Sequence, residues 1–305
     1  MSYDNIASEF LSAMAAAGVP ISGTVVADGK VHRVDVDGDK HGSRNGWYVL
    51  HIEDNSDFGA GAFGCWKRGV KETWHSKKSS GPANNEWREK LAKMKKEREE
   101  AEALIKLSAR EKAQWVWKNS TPPPSDHPYL LKKKIRGTGL RAYRGMLVVP
   151  ISEVTGELQS LQFISADGSK RFLTGGKIVD CIAYLPGEKP KAEVYVAEGL
   201  ATGATIREVL GANVVIAFNA GNLPPVARAL RARFPKIKII ICADNDRWTT
   251  EPMVNPGVTR AREAAKAVNA TVFVPEFKDL STRPTDFNDL FALEGPEAVK
   301  AQFSV

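Results

Sequence analysis

No run in this 305-residue chain approaches the roughly 18 to 20 consecutive apolar residues that cross a bilayer. The first residues, MSYDNIASEF, carry acid where a secretory leader carries positive charge. The expectation is a soluble, intracellular, cytoplasmic protein with no membrane partner. Cysteine is scarce: Cys65, Cys181 and Cys242 are too few and too scattered for a disulfide framework or a zinc ribbon. His32, His41, His51 and His75 lack paired-ligand spacing, so no zinc is expected. No Gly-x-x-x-x-Gly-Lys-Ser/Thr string occurs, which excludes a nucleotide-driven motor of that type. There is no internal repeat. Disorder and fibrous architecture are excluded in turn, because 43% of the residues are hydrophobic and 8% aromatic, enough for two or three compact domains.

What is abundant is positive charge, and it is unevenly spread. Residues 66–144 hold 21 of the 43 Lys and Arg but 9 of the 36 Asp and Glu, so this stretch exceeds the whole chain's +7. Cations on a surface displace the counterions condensed on nucleic acid, so a basic middle between acidic ends points to a polyanion partner. Much of the excess lies on one long helix, expected from Glu86 to Trp117, where it also serves simply as a solvated face. Leu91, Met94, Ile105 and Leu107 are its expected packing positions, and the Pro122-Pro123-Pro124 run ends it.

Residues 1–80 begin with a short helix (6–17) and continue with strand-like segments at 31–36 and 46–52, punctuated by Gly and Asp-Gly. This β-rich N-terminal module is separated from the rest by SSGPANN, a linker by composition. Residues 81–120 are read as linker and charged helix, 121–190 as a small basic α+β subdomain of short strands and turns. From 191 to 305 the pattern alternates strands and helices: EVYVAEG, a helix at 201–210, NVVIAFN, PPVARALRARF, KIIICADND, a helix at 259–268 and ATVFVP. Nearly all-apolar strands alternating with helices specify an α/β domain whose parallel sheet is covered on both faces.

In such a sheet ligands sit at the carboxyl ends of the strands. Three of these ends are acidic: Glu198-Gly199, Asp244-Asn245-Asp246, and the later loop Asp286-Phe287-Asn288-Asp289. Asp244 and Asp246 are two apart, so on an extended backbone both face one side. Carboxylates converging on one point repel unless a cation lies between them, and hard divalent ions such as Mg²⁺ or Mn²⁺ take oxygen ligands. Gly199 is expected to permit a tight turn after Glu198. An isolated Asp-x-Asp equally well caps a helix, but its pairing with Glu-Gly at a second strand end is more specific.

These motifs, with the fuller strings VAEGLATGATI, AFNAGNLPPVARALR and IICADND, resemble those of TOPRIM-domain DNA primases encoded by conjugative plasmids, integrative elements and phages. The resemblance implies primer synthesis: short RNA laid down on single-stranded DNA from ribonucleoside triphosphates by metal-dependent nucleotidyl transfer. It makes Glu198, Asp244 and Asp246 the catalytic, metal-binding acids, with Asp286 and Asp289 as the third acidic cluster. It further implies a replicative helicase acting in trans. A TOPRIM nuclease or topoisomerase, and a non-catalytic single-stranded-DNA-binding accessory protein, are the rival readings.

The stretch HPYLLKKKI and the following RAYRGMLVVPISEVTGELQSLQFISADGSKRFL are similar to the basic subdomain that precedes TOPRIM in these primases. Lys132, Lys133, Lys134, Arg136, Arg141, Arg144, Lys170 and Arg171 are its expected phosphate contacts. At the N-terminus, FGCWKRGVKETW resembles the strand-turn-strand of a primase zinc ribbon but has one cysteine. It is read as a metal-free module in which Trp66, Lys67, Arg68 and Trp74 form a base-stacking and phosphate-binding face, or in which Trp66 and Trp74 fill a small core.

Overall fold

The computed structural model describes residues 3–52, 58–76, 83–188, 192–251 and 253–304. The chain divides into two compact units, Met1–Glu97 and Arg98–Val305.

In the first unit, helix α1 (Tyr3–Ala16) lies with an antiparallel sheet in the order β1 (His32–Val34), β2 (Gly46–Ile52), β3 (Gly59–Cys65), β4 (Val70–His75). Ile6, Phe10 and Met14 recur every four residues on α1, which puts them on one face, and all three are fully buried. The sheet returns Tyr48, Leu50, Phe63 and Cys65 to the same core. Trp74 belongs to this core too, its ring edge-on to Phe10 at 5.1 Å.

Helix α2 (Ala83–Lys118) spans the boundary between the units. It starts three residues before the expected Glu86, taking in the end of the linker; residues 79–82 lie outside the described residues. Its packing face also departs from expectation. Ile105 and Leu107 are exposed, and the helix packs instead through Ala109, Ala113 and Val116. Small side chains at this spacing let the helix approach closely, which large apolar residues would prevent. The side chains of Leu91 and Met94 lie outside the described residues. Against this face sits a second antiparallel sheet: β5 (Arg141–Tyr143), β6 (Met146–Ser152), β7 (Leu158–Ile164) and β8 (Lys170–Phe172), preceded by the short α3 (Pro128–Lys133). One face of the sheet gives Val148, Leu161 and Phe163 to α2; the other gives Leu147, Val149 and Ile164 to the main core.

The third sheet runs β13 (Thr271–Phe273), β12 (Lys238–Cys242), β10 (Glu193–Ala197), β11 (Val214–Ile216), β9 (Ala183–Leu185). Its first four strands are parallel, and β9 pairs antiparallel with β11 at the edge. Alternation along the strands divides their side chains between two cores. Tyr195, Ala197, Ile240 and Cys242 face helices α4 (Leu200–Leu210), α7 (Phe287–Glu294) and α8 (Pro296–Phe303). Val194, Val196, Ile239 and Ile241 face α5 (Leu223–Arg233) and α6 (Pro256–Val268). Both faces being covered explains why these strands are apolar at nearly every position. No helix among the described residues is long and apolar enough to cross a membrane.

Candidate active site

Parallel β10 and β12 are neighbours, so their carboxyl ends open on the same edge of the sheet. Glu198 follows β10 and leads into α4. The residue after it does not act as expected: Gly199 has φ −105° and ψ 153°, a backbone any residue adopts, and a Cβ there would meet only Thr202 Oγ1 at 3.7 Å. The glycine that lies against the sheet is Gly203, where a Cβ would lie 2.1 Å from Ile216 Cδ1 and 3.1 Å from Val214 Cγ1, so that the β11 side chains would have to shift.

Asp244 and Asp246 follow β12, with Asn245 between them turned into the protein. The buried Asn245 fixes this segment: its backbone N–H donates to Thr285 O at 2.6 Å, its amide donates to Pro275 O at 3.1 Å, and Asn255 donates to its Oδ1 at 2.9 Å. Asp246 accepts from the Gly257 N–H at the first turn of α6. Gly257 is required there, since a Cβ would lie 2.2 Å from Asp244 O.

Asp286 caps α7 by accepting from the Asp289 N–H at 2.8 Å. Asp289 is already engaged on both oxygens: one accepts from the Thr285 N–H at 3.0 Å, and the other lies 3.8 Å from Lys133 Nζ. Asn288, buried behind them, donates to Lys133 O and Thr205 Oγ1 and ties α7 to the end of α3 and to α4. Asn245 and Asn288 were not expected as site residues. Their only signal in the sequence is an amide lodged between acids that share a cluster.

Burial and mutual repulsion raise the pKa of three acids at this edge. Burial, and then the Asp246 charge, lift the Glu198 carboxyl to about 7. Burial pushes Asp244 well up, reinforced by the charges of Glu198, Asp286 and Asp246. Asp286 is raised by burial and by Asp289. Glu198 and Asp244 remain half-buried as residues, yet Glu198 Oε2 and Asp244 Oδ1 are each fully hidden with no hydrogen-bond partner. Acceptor-only oxygens left buried and unpaired are costly, and a hard divalent cation is the partner such a donor set fits. Among the described residues, no three His, Cys, Asp or Glu groups are gathered into a ready coordination sphere. A cation here would complete its shell with water or phosphate oxygens, as Mg²⁺ commonly does.

Of the expected basic residues, Lys170 reaches this field: the charges of Asp286, Asp244 and Glu198 favour its ammonium, while burial and Lys133 lower its pKa overall. Lys170 is exposed as a residue, which tempers that lowering. Lys170 Nζ lies 5.7 Å from the ring centre of the buried Tyr129. Lys132 and Lys134 are exposed at the end of α3, and Arg144 is exposed over the Tyr143 ring. Arg136 is exposed and lies 3.9 Å from Glu208. Arg171 faces away from Lys170 and lies over Phe163. Arg141 is spent locally: it donates to Trp117 O and Ser120 O at the end of α2 and stacks on the Trp117 ring.

In the N-terminal unit, Trp66 is 55% exposed, with the Arg33 guanidinium 4.4 Å above its ring and Trp47 at 6.0 Å. Lys67 and Arg68 both pair with Asp39. Arg33 and Trp47, which complete this aromatic and cationic stack, were not among the expected residues. Strand register brings them level, Arg33 opposite Trp47.

Comparison with known proteins places residues 193–297 on the family model described as Toprim domain. Two proteins named DNA primase TraC, both from Escherichia coli, are 33% identical to this chain. One matches over 88% of this chain and 26% of its own length, the other over 91% and 20%. The chain thus spans about a quarter or less of the length of the curated relatives it matches. The primase fragment of the bacteriophage T7 primase-helicase protein superimposes with a TM-score of 0.43 at 18% identity, over 57% of this chain and 73% of that one. The match takes in four strands of the third sheet, β10 to β13, and the acidic edge at residues 198, 244 and 246, so this α/β third of the chain resembles a Toprim domain.

Proposed function

We propose that this chain is the catalytic part of a DNA primase that makes short RNA primers on single-stranded DNA by metal-dependent nucleotidyl transfer. The observation that carries the reading is a set of buried carboxylates with unpaired oxygens, at the strand ends of a Toprim domain. The identity to proteins named DNA primase along most of this chain supports it.

In this reading Glu198, Asp244 and Asp246 hold Mg²⁺ or Mn²⁺, with Asp286 beside them and Asp289 anchoring Lys133. When bound, the ion supplies Lewis acidity toward the primer 3′-hydroxyl and the triphosphate. The chain's own groups do the rest. Lys170 places a cation beside the acids where phosphate charge must be neutralised, and Lys132, Lys133 and Lys134 extend that positive surface along α3. Gly257 and Asn245 hold Asp246 and Asp244 in place. The partners are a single-stranded DNA template and ribonucleoside triphosphates.

The test is incorporation of labelled ribonucleotides on circular single-stranded DNA, with and without Mg²⁺. Asp246→Ala should abolish synthesis while single-stranded DNA binding survives. Near wild-type synthesis by that variant would remove the acidic edge from the chemistry.

A further inference from the structure

Phe218 stands two residues beyond the end of β11, on the same sheet edge as the acids, with φ 72°. A bulky residue in the left-handed region is a backbone outlier, and such strain persists only where the surroundings over-determine it. The surroundings here are rigid. Asn219 accepts from the Asn222 N–H, and the buried Asn222 amide donates to the carbonyls of Ile178, Cys181 and Ala217. The backbone of the next residue of this turn, Ala220, favours the charged Glu198 carboxylate. The strained phenylalanine is therefore held by a loop that lies beside an acid of the candidate active site.

A second ring comes from the other sheet. Phe172, on β8, meets Phe218 edge-on, with centroids 6.0 Å apart and planes at 78°. Both rings are half-buried and so keep surface open to solvent. Phe172 is two residues from Lys170, so both side chains leave β8 on one face, about 7 Å apart along the strand. That face is the one whose neighbour Ile164 enters the core shared with the Toprim sheet. A cation coupled to Glu198, Asp244 and Asp286 thus stands one pleat from an aromatic ring. The pattern suits a ligand with an anionic end and a flat apolar end.

We propose that Phe218 and Phe172 form a base-stacking wall, which takes the nucleobase of a nucleotide whose phosphates lie at Lys170 and the acids. This rests on the nucleotidyl-transfer reading above and names the part of the site that distinguishes a nucleotide from bare polyphosphate. Because every base has a π face, such a wall selects for a base without selecting its sequence. If the rings only filled the rim of the core, a leucine would serve at residue 218 and no ligand would register its loss.

The test is calorimetric titration of the full chain, in Mg²⁺ and without template, with a ribonucleoside triphosphate and separately with inorganic tripolyphosphate. Wild type should bind the nucleotide on the order of tenfold more tightly than tripolyphosphate. Phe218→Leu and Phe172→Leu should lose about that factor for the nucleotide and keep tripolyphosphate affinity, while Phe218→Tyr keeps both. Leucine variants that bind the nucleotide like wild type overturn the proposal. So does a loss of both ligands accompanied by a fall in Tm, which would make the rings core. Equal wild-type affinity for the two ligands overturns the base wall alone; binding of neither overturns the nucleotidyl-transfer reading and the wall with it.

Discussion

Burial lifts the Glu198 carboxyl to about 7, and the Asp246 charge adds to that lift. The folded protein thus holds this proton more tightly than the unfolded chain, whose carboxyl titrates near 4.5. The associated stability is fully present below about pH 4.5 and is lost as pH rises through about 7. Asp244, pushed up in the same direction, adds to the loss. Without metal, then, the molecule carries uncompensated buried charge at neutral and alkaline pH. Glu198→Gln should raise Tm by a few degrees at pH 8 in chelator, a gain on the order of 1–3 kcal/mol. The gain should shrink toward zero near pH 4.5. Mg²⁺ should stabilise wild type more than the variant, because binding to the folded state alone adds stability by mass action. Thermal melts across pH, with and without Mg²⁺, read both effects. No gain at pH 8 would mean that Glu198 is solvated and carries no strain of charge.

At the level of elements, α3 delivers three consecutive lysines in different states. Lys132 is exposed, Lys133 faces Asp289 at 3.8 Å, and Lys134 occupies the left-handed position that ends the helix. Replacing all three with alanine should weaken single-stranded DNA binding for every sequence. It should flatten the salt slope by up to about 2, at about 0.7 per phosphate contact, and by less where Lys133 stays with Asp289. An unchanged slope would assign the lysines to local charge balance. Such distinctions were invisible in the sequence, which presents charge but not its partner: Arg141 reads like its neighbours, yet it caps the carbonyls at the end of α2. The Toprim strands were legible because burial on both faces makes each nearly all apolar. The edge strand β9 was not, since three residues become a strand only by pairing with β11. The packing face of α2 was misplaced for a related reason. Alanine carries little hydrophobic weight in a pattern, but Ala109 and Ala113 are both buried, and Ala113 packs with Val116 against the sheet. The acidic edge was legible as spacing; its lock through Asn245 and Asn288 depends on contacts 30 to 155 residues apart.

At the scale of the whole molecule, the acidic edge lies entirely within Arg98–Val305, whereas Trp66 belongs to Met1–Glu97. The template contact and the chemistry proposed for these two places should therefore be separable by mutation. The first unit sorts the FGCWKRG segment residue by residue. Cys65 is buried in the core, Trp66 projects outward under Arg33, and Lys67 and Arg68 are drawn to Asp39. Of these, the tryptophan keeps the largest free surface, and indole faces stack on bases at about 1–3 kcal/mol each. Trp66→Ala should lower affinity for single-stranded DNA about tenfold. It should leave Tm nearly unchanged, because a side chain 55% exposed contributes little burial to lose. In a primer-synthesis assay the same variant should need more template for half-maximal rate and reach the wild-type rate at saturation, since the acids are untouched. DNA titration, melting and template dependence on this one variant separate the possibilities. A fall in Tm corresponding to about 3–5 kcal/mol would assign the indole to packing. A lower saturating rate with unchanged template affinity would contradict the separation of the two functions, because it would make an N-terminal tryptophan part of the chemistry.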